Sequence, residues 1–363
     1  MILSKLATLL FFASFFGIIL CLGYLAHKKQ SKILSVALVL LPAIIVAIRF
    51  QTGSDTENYK DIYDSLNSTS LHDAIMQITS LSFEPFTILS ARLSDFIGFG
   101  YFFYFLAHSL PTFAASLFVS KKIDPNRWWL LFASIALILL PYSLNIMRQT
   151  LAASLFVLLL VLLAKKQKSW LTIVATFILM ISCHFSSILL LPVLFIHPLI
   201  SRKRFESLFF LLFVVIIISL AAFPFIFSFI SSNELLPPKY LEAIGVSKFN
   251  LFNFDFVIFL ALSVFLYITR KFENRYSPEH NQYLSLIILC NLFYAGIGLF
   301  SAYIGRMSDY FWPVAVIGIW FLLDRFRDSF RLKGIVYICL IFTYFVASCF
   351  ILGNNQIVPY GVM

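Results

Sequence analysis

The sequence predicts an all-α, polytopic integral membrane protein of about twelve transmembrane helices, on three observations. Of its 363 residues, 61% are hydrophobic and only 12% are charged. The apolar residues gather in runs of about twenty, enough for a helix to cross the ~30 Å hydrocarbon core with its backbone hydrogen bonds satisfied. Lysine and arginine are divided unevenly between alternate connections. We therefore expect a single transmembrane domain over residues 1–363.

The predicted spans follow one another with short polar connections. They cover residues 2–26, 33–48, 99–119, 128–142, 146–164, 169–183, 185–200, 207–231, 253–269, 282–302, 308–323 and 334–352. The first span is too long for a cleaved signal peptide, and no small-residue cleavage site follows it.

The basic residues predict the orientation, because cytoplasmic loops carry an excess of lysine and arginine. One set of alternate connections holds 19 of the 27 such residues and the other holds 8. The richer set is predicted to be cytoplasmic, which places both termini outside. The net charge of +10 then reflects topology and attraction to anionic lipid headgroups. The bilayer is the expected partner, and nucleic acid is not.

Two longer outer segments, 49–98 and 232–252, must carry most of any external chemistry. Residues 84–97 of the first are too short and too charged for a span, and a crossing there would invert the charge pattern downstream. Their apolar positions recur at helical spacing, as in an interfacial amphipathic helix. These positions are Phe86, Leu89, Leu93 and Phe96. We expect this helix on the outer surface or dipping shallowly into the membrane.

The stretch RFQTGSDTENYKDIY opens the first outer segment. It contains Arg49, Asp55, Glu57 and Tyr59, and reads either as a solvated turn or as a catalytic or ligand-orienting loop. Asp55 and Glu57 also form a D-x-E pattern that suits a divalent cation beside a phosphate. Apart from that possibility, no metal or other cofactor is expected, since the five cysteines have no metal-ligand spacing.

Further polar residues stand at span ends on the same outer face. Arg148 and Gln149 open the fifth span, where an arginine either snorkels to the interface or offers a planar donor fork to phosphate. His184 lies between two spans and is a hydrogen-bonded structural residue, a donor to a pyrophosphate or a base near neutral pH. Arg306 and Tyr310 stand at the entry of the eleventh span, where Arg306 either pairs with a neighbouring carboxylate or binds an anion.

Four arginines therefore reach the face that has fewer positive charges. They are Arg49, Arg92, Arg148 and Arg306. Topology does not account for a cation on that face, so we expect an anionic ligand there. His108 lies inside the third span, where the preferred interpretation is a hydrogen bond to a backbone carbonyl freed by Pro111.

The order of these motifs resembles the EpsG branch of the Wzy-type polysaccharide polymerases over about residues 30–325. Thr56 departs from the family, which often has tyrosine at that position. The matching residues, in chain order, are Arg49, Gly53, Asp55 and Tyr59, then Glu84 in FEPFTILS, Arg148 and Gln149, His184 in HFSS, and Arg306, Tyr310 and Phe311.

The resemblance implies a GT-C-like glycosyltransferase in a bacterial cytoplasmic (inner) membrane. Such an enzyme moves a growing glycan from undecaprenyl pyrophosphate to the non-reducing end of a lipid-linked repeat unit outside, with inversion. A chain-length regulator is an implied partner. The implied base is Asp55, Glu84 or His184. The implied substrate and pyrophosphate ligands are Arg49, Tyr59, Arg92, Arg148, Gln149, Arg306 and Tyr310.

Two alternatives to a polymerase remain open. A flippase for the lipid-linked unit would have its site near the bilayer midplane and internal repeats, whereas here the polar residues gather on one face. The second alternative is a ligase that transfers finished glycan to another acceptor. The sequence distinguishes a ligase from a polymerase only by the order of the motifs.

Overall fold

The computed structural model describes residues 5–49, 52–53, 55–79, 83–164, 169–192, 205–211, 213–214, 254–272, 278–297, 308–323 and 330–351. Throughout these ranges the secondary-structure elements are helical, as the sequence predicts. The helices fall into two compact units, and the single transmembrane domain over residues 1–363 stays a prediction. The first holds Met1–Leu163, Gln167–Leu189 and Phe326–Met363, and the second holds Ala164–Lys166 and Leu190–Arg325.

Thirteen α-helices in the described ranges are numbered here in chain order. They are α1 Lys5–Lys29, α2 Lys32–Ala47, α3 Thr56–Ser68, α4 Leu71–Thr79, α5 Pro85–Ile97, α6 Gly100–Ile123, α7 Trp128–Asn145, α8 Met147–Ala164, α9 Trp170–Cys183, α10 Phe254–Phe272, α11 Pro278–Ile297, α12 Ser308–Leu322 and α13 Phe330–Val346. A 3-10 helix, Phe185–Leu190, follows α9, and a π-helical turn, Ala347–Ile351, follows α13.

Four of these helices, α1, α6, α7 and α8, are long and apolar enough to cross a membrane. Shorter apolar helices occur within α2, α9, α10, α12 and α13, and each overlaps a predicted span. The predicted span 185–200 begins with the 3-10 helix. Most of that span and of 207–231, and the whole outer segment 232–252, lie outside the described residues. The number of crossings therefore remains a prediction.

The length of helix α6 separates the two ends of the first unit. Lys121, near its last residue, donates a hydrogen bond from Nζ to Ser35 Oγ at 3.1 Å. Phe105, sixteen residues earlier, lies under the guanidinium of Arg49, and that separation corresponds to about 24 Å of helix. The connections predicted to be cytoplasmic, 27–32 and 120–127, thus meet at one end. The outer segments, 49–98 and 143–148, meet at the other.

Helices α3, α4 and α5 pack around the first turns of α6. Near the start of α5, the Phe86 ring lies 5.0 Å from the His108 ring, centroid to centroid. Gly98 then ends α5 in the left-handed region, with φ at 80°, just before α6 begins. Helix α5 therefore lies beside the first turns of α6, with Leu89, Leu93 and Phe96 exposed. This placement fits the predicted interfacial helix.

The second unit packs α10, α11 and α12 together. A methyl group added to Gly318 of α12 would lie 3.0 Å from a Leu266 methyl and 3.3 Å from an Ile287 methyl. The small residue thus allows close helix contact. Phe259 and Trp312 meet edge to face, with ring centroids 5.1 Å apart.

Candidate active site

Glu84 stands at the start of α5, where the local sequence fixes its backbone. Pro85 occupies the first helical position, which suits a residue without a backbone N–H. Proline also forces the residue before it into an extended conformation, and Glu84 has φ −73° and ψ 146°. Its side chain makes no hydrogen bond that caps the helix. The carboxylate is therefore available for contacts with other segments.

Two nitrogen-bearing side chains from distant parts of the chain meet this carboxylate. Arg148 Nη1 lies 2.5 Å from Glu84 Oε2, and His184 Nδ1 lies 2.8 Å from Glu84 Oε1. The side chains of Glu84, Arg148 and His184 are 5%, 18% and 24% exposed, respectively. We call these three residues the Glu84 cluster. Its carboxylate is enclosed, while the two partners reach its edge.

The cluster keeps Glu84 ionised. Burial alone would raise the pKa of this carboxyl, but the hydrogen bond from His184 and the positive charge of Arg148 lower it to about 2. A carboxyl group with such a low pKa is a poor proton acceptor. The geometry therefore favours Glu84 as a group that orients its partners, and it weakens the prediction that Glu84 is the base.

His184 ends α9 as its C-cap residue, with an extended backbone. The following 3-10 helix holds it in place, because Ser187 donates a hydrogen bond from Oγ to the His184 carbonyl at 2.7 Å. An ionised carboxylate only accepts hydrogen bonds, so Nδ1 must carry a proton. In the neutral imidazole, Nε2 then has the lone pair that a general base requires.

Arg148 lies in the first turn of α8, and its guanidinium carbon is 5.5 Å from the centre of the Tyr59 ring. Its buried Nε has no hydrogen-bond partner among the residues that the structure describes, so these residues do not use the whole donor fork. Burial raises the pKa of the Tyr59 hydroxyl, and the charge of Arg148 acts in the opposite direction. Tyr59 is thus a neutral aromatic side chain that packs beside the cluster.

Arg49 is placed differently from Arg148, although both were predicted to contact pyrophosphate. It is fully buried, with Nη1 donating to the Ser143 carbonyl at 2.7 Å and the guanidinium carbon 4.0 Å from the Phe105 ring centre. Arg49 therefore ties the end of α2 to the end of α7, directly before Arg148. The placement favours a supporting role over direct contact with a ligand.

Gly53 brings the same outer loop against the end of α7. Its φ is +89°, and a Cβ there would lie 2.1 Å from the Leu144 carbonyl oxygen. No side chain fits at this position. The G-x-D motif therefore has a structural reason at its first residue, and it places Asp55 at the start of α3.

Three further predicted site residues, Arg92, Gln149 and Asp55, belong to the first unit. Arg92 donates from Nη2 to the Thr69 carbonyl at 2.6 Å, which joins α5 to the end of α3. Gln149 is buried beside Arg148 in α8. Asp55 occupies the N-cap position of α3 without a capping hydrogen bond from its side chain, and its charge contributes to the raised pKa of Tyr59. Asp55 is thus close enough to remain a candidate base.

The possible cation site gains no support. Glu57 is 63% exposed and lies 3.6 Å from Lys60 Nζ, and side chains two apart on a helix do not face each other. Within the described ranges, no three or more His, Cys, Asp or Glu side chains converge as metal ligands.

The sequence also singled out Arg306, Tyr310 and His108. Arg306 lies outside the described residues. Tyr310 is buried in α12 of the second unit. His108 Nδ1 contacts the Tyr104 carbonyl at 3.0 Å. The prediction of a backbone carbonyl partner is therefore confirmed. The carbonyl differs from the predicted one, because Pro111 lacks an N–H and so frees the carbonyl of Ala107, four residues earlier.

Sequence reasoning missed several residues that complete the surroundings of the cluster. Thr87 donates from Oγ1 to Glu84 Oε2 at 3.4 Å; its position three residues after Glu84 was the available signal. Phe105 and Ser143, which hold Arg49, gave no signal, because an aromatic ring and a backbone carbonyl within apolar spans look like ordinary core.

Comparison with known proteins identifies the family. No curated protein and no solved structure matches the chain significantly. The model of the EpsG family, whose members are polysaccharide polymerases, matches residues 32–362. That range contains the whole Glu84 cluster, the outer loop and every helix numbered above except α1. The chain belongs to the EpsG family.

Proposed function

We propose that the protein polymerises a bacterial surface polysaccharide outside the cytoplasmic membrane. It transfers the growing glycan from undecaprenyl pyrophosphate to the non-reducing end of a fresh lipid-linked repeat unit. Family membership supports polysaccharide polymerisation. The observation that carries the chemistry is the buried Glu84 carboxylate held between Arg148 and His184.

In the proposed reaction, the acceptor hydroxyl attacks the anomeric carbon of the donor sugar as the bond to the pyrophosphate oxygen breaks. His184 Nε2 takes the hydroxyl proton, and Glu84 holds the ring and stabilises the imidazolium that forms. The electron pair of the broken bond leaves with undecaprenyl pyrophosphate. A single displacement inverts the anomeric centre and uses no protein nucleophile.

Arg148 is proposed to face the leaving group. Negative charge grows on the pyrophosphate as the glycosidic bond breaks, and a preorganised donor at such a position contributes roughly 2.7–4 kcal/mol. The unpartnered Nε and the partial exposure of the side chain support this role. Tyr59 keeps the guanidinium in place from the other side. Arg306, by its place in the family pattern, is proposed as a second pyrophosphate ligand.

The membrane arrangement is part of the same proposal. Twelve spans, both termini outside and a GT-C-like architecture follow from the charge distribution and the family resemblance. The outer segments of the first unit lie together at one of its ends, and this supports the arrangement. A lipid-linked donor suits a site at that end, because its sugar and pyrophosphate lie at the membrane surface. A chain-length regulator is a proposed partner.

The test is the lipid-linked glycan profile of a bacterial strain that lacks this protein. We expect single repeat units on the final acceptor and polymer again after complementation with the wild type. The Glu84→Gln variant should leave single units. The matched control is Glu57→Gln, which removes an exposed carboxylate on the neighbouring helix and should restore polymer.

The alternatives give different profiles in the same strain. Loss of all surface glycan, with lipid-linked units retained inside, would indicate a flippase. Full-length polymer left on the lipid carrier would indicate a ligase. Either profile would overturn the proposal.

A further inference from the structure

A second polar site lies at the opposite end of the first unit from the Glu84 cluster. It is a cavity of about 540 Å³, within the size range of ligand pockets. Its lining comes from the end of α1, the start of α2 and the α6–α7 connection. We call it the lysine pocket, and its main polar groups are Gln30, Ser31, Lys32, Ser35 and Lys121.

The charge of the pocket is positive. Lys32 and Lys121 contribute two ammonium groups, and none of the described residues that line the cavity is acidic. Asp124, in the α6–α7 connection, accepts hydrogen bonds from the backbone N–H groups of Asn126 and Arg127 at 3.1 Å. Its charge is thus engaged within its own turn and is not directed at the lysines.

Two contacts hold the Lys121 side chain in position. Its Nζ donates to Ser35 Oγ at 3.1 Å and lies 4.6 Å from the centre of the Trp128 ring, which is a cation–π distance. Trp128 itself is buried and forms the floor of the pocket. The site therefore presents a fixed ammonium group, hydroxyls and an aromatic surface within one cavity.

The pocket adjoins a face of α2 that is apolar and exposed. Val36 lines the cavity, and large apolar side chains continue from it along one side of the helix. The exposed members of this row are Ile33, Val36, Leu40 and Ile44. In a helix predicted to cross the membrane, such a row faces lipid chains. A ligand with an anionic head and an apolar tail fits both parts.

We infer that the lysine pocket binds the phosphate-bearing headgroup of an anionic phospholipid, with an acyl chain along the exposed side of α2. Basic pockets between helices on the cytoplasmic side of membrane proteins suit such headgroups. The site is separate from the Glu84 cluster, so the inference does not depend on the proposed polymerase activity.

The test measures thermal stabilisation of the purified full-length protein in detergent, because a ligand that binds the folded state raises its unfolding midpoint. The three additives are phosphatidylglycerol, phosphatidylcholine and inorganic phosphate. We expect stabilisation by phosphatidylglycerol alone. Lys121→Gln should weaken the apparent affinity about fivefold, the effect of one basic residue at a membrane surface.

Lys122→Gln is the matched control. It removes the same charge one residue away, but Lys122 is exposed, lies over the Phe118 ring at 5.6 Å and is outside the pocket lining. The affinity of the Lys122→Gln variant for phosphatidylglycerol should equal that of the wild type. Lys121→Arg, which keeps the charge and the aromatic contact, should also bind. If Lys121→Gln does not fold, Lys32→Gln at the pocket rim provides the same comparison.

Three results would overturn the inference. Equal stabilisation by the two phospholipids would show that the headgroup charge is not recognised. Equal losses from Lys121→Gln and Lys122→Gln would indicate diffuse surface charge without a site. Stabilisation by inorganic phosphate that disappears in Lys121→Gln would assign the pocket to a free anion.

Discussion

At the scale of single residues, the proposed division of labour between Glu84 and His184 can be tested with His184→Gln. A glutamine amide can still donate to Glu84, but it has no basic nitrogen that could take a proton. We expect polymer formation per folded protein to fall by about 10²–10⁴-fold, the usual effect of losing a general base. The measurement is polymer yield from purified protein with a lipid-linked donor.

Asp55→Asn serves as the comparison, because Asp55 is the other candidate base. A small decrease in that variant is expected. If Asp55→Asn abolished polymerisation while His184→Gln retained it, the base would have to be reassigned to Asp55, and His184 would be structural.

Arg49 and Arg148 should respond differently to substitution by lysine, which keeps the charge but loses the planar fork. Arg148→Lys should accumulate normally and lose polymer formation by about 10²–10³-fold, as for a lost transition-state donor. Arg49→Lys should destabilise the fold by about 1.5–3 kcal/mol, the range for a hydrogen bond to a charged group.

Size-exclusion chromatography of the folded membrane protein separates these two effects from polymer yield. Arg49→Lys should retain nearly normal polymer formation per folded molecule. A severe loss of activity in Arg49→Lys without any loss of folded protein would return Arg49 to the ligand-binding residues.

The charge state of Glu84 makes stability depend on pH in a defined direction. Its pKa is lowered in the folded protein from the usual 4.5 to about 2. The ionised carboxylate therefore stabilises the fold fully above pH 4.5, and that contribution is lost as the pH falls towards 2. Glu84→Gln cannot titrate, so its difference in unfolding midpoint from the wild type should shrink on acidification from pH 5 to pH 3. A difference that already shrinks above pH 5 would contradict the lowered pKa.

At the scale of elements, two left-handed glycines offer a matched pair. Gly98→Ala at the α5–α6 connection meets no atom within 4 Å, so it should lose only about 1–2 kcal/mol for the backbone conformation. Gly53→Ala adds a clash with the Leu144 carbonyl and should displace the outer loop from α7. We expect lower thermal stability and less polymer for Gly53→Ala than for Gly98→Ala. Equal behaviour would show that the loop does not depend on this contact.

The sequence could predict the elements because their signals are local. An apolar run defines α1 or α8, and the spacing of Leu89, Leu93 and Phe96 defines the exposed side of α5. The contacts of Glu84 were beyond such reasoning, because they join residues 64 and 100 positions apart along the chain. Arg49 and Arg148 looked alike in the sequence, since only tertiary packing buries one and leaves the other at an edge.

At the scale of the whole molecule, the charge distribution implies an even number of crossings between the α6–α7 connection and the segment before residue 205. Asn126 is exposed in the first region, and Glu206 is exposed in the second. Cysteines placed at these positions in a cysteine-free protein should both react with a membrane-impermeant reagent only after the cells are permeabilised. Ser65→Cys, on exposed α3, should react in intact cells. The predicted span 185–200, which begins with a 3-10 helix, decides the result for Glu206→Cys. If that cysteine reacted in intact cells while Asn126→Cys did not, residues 185–200 would not cross, and the chain would have to be threaded with a different number of spans.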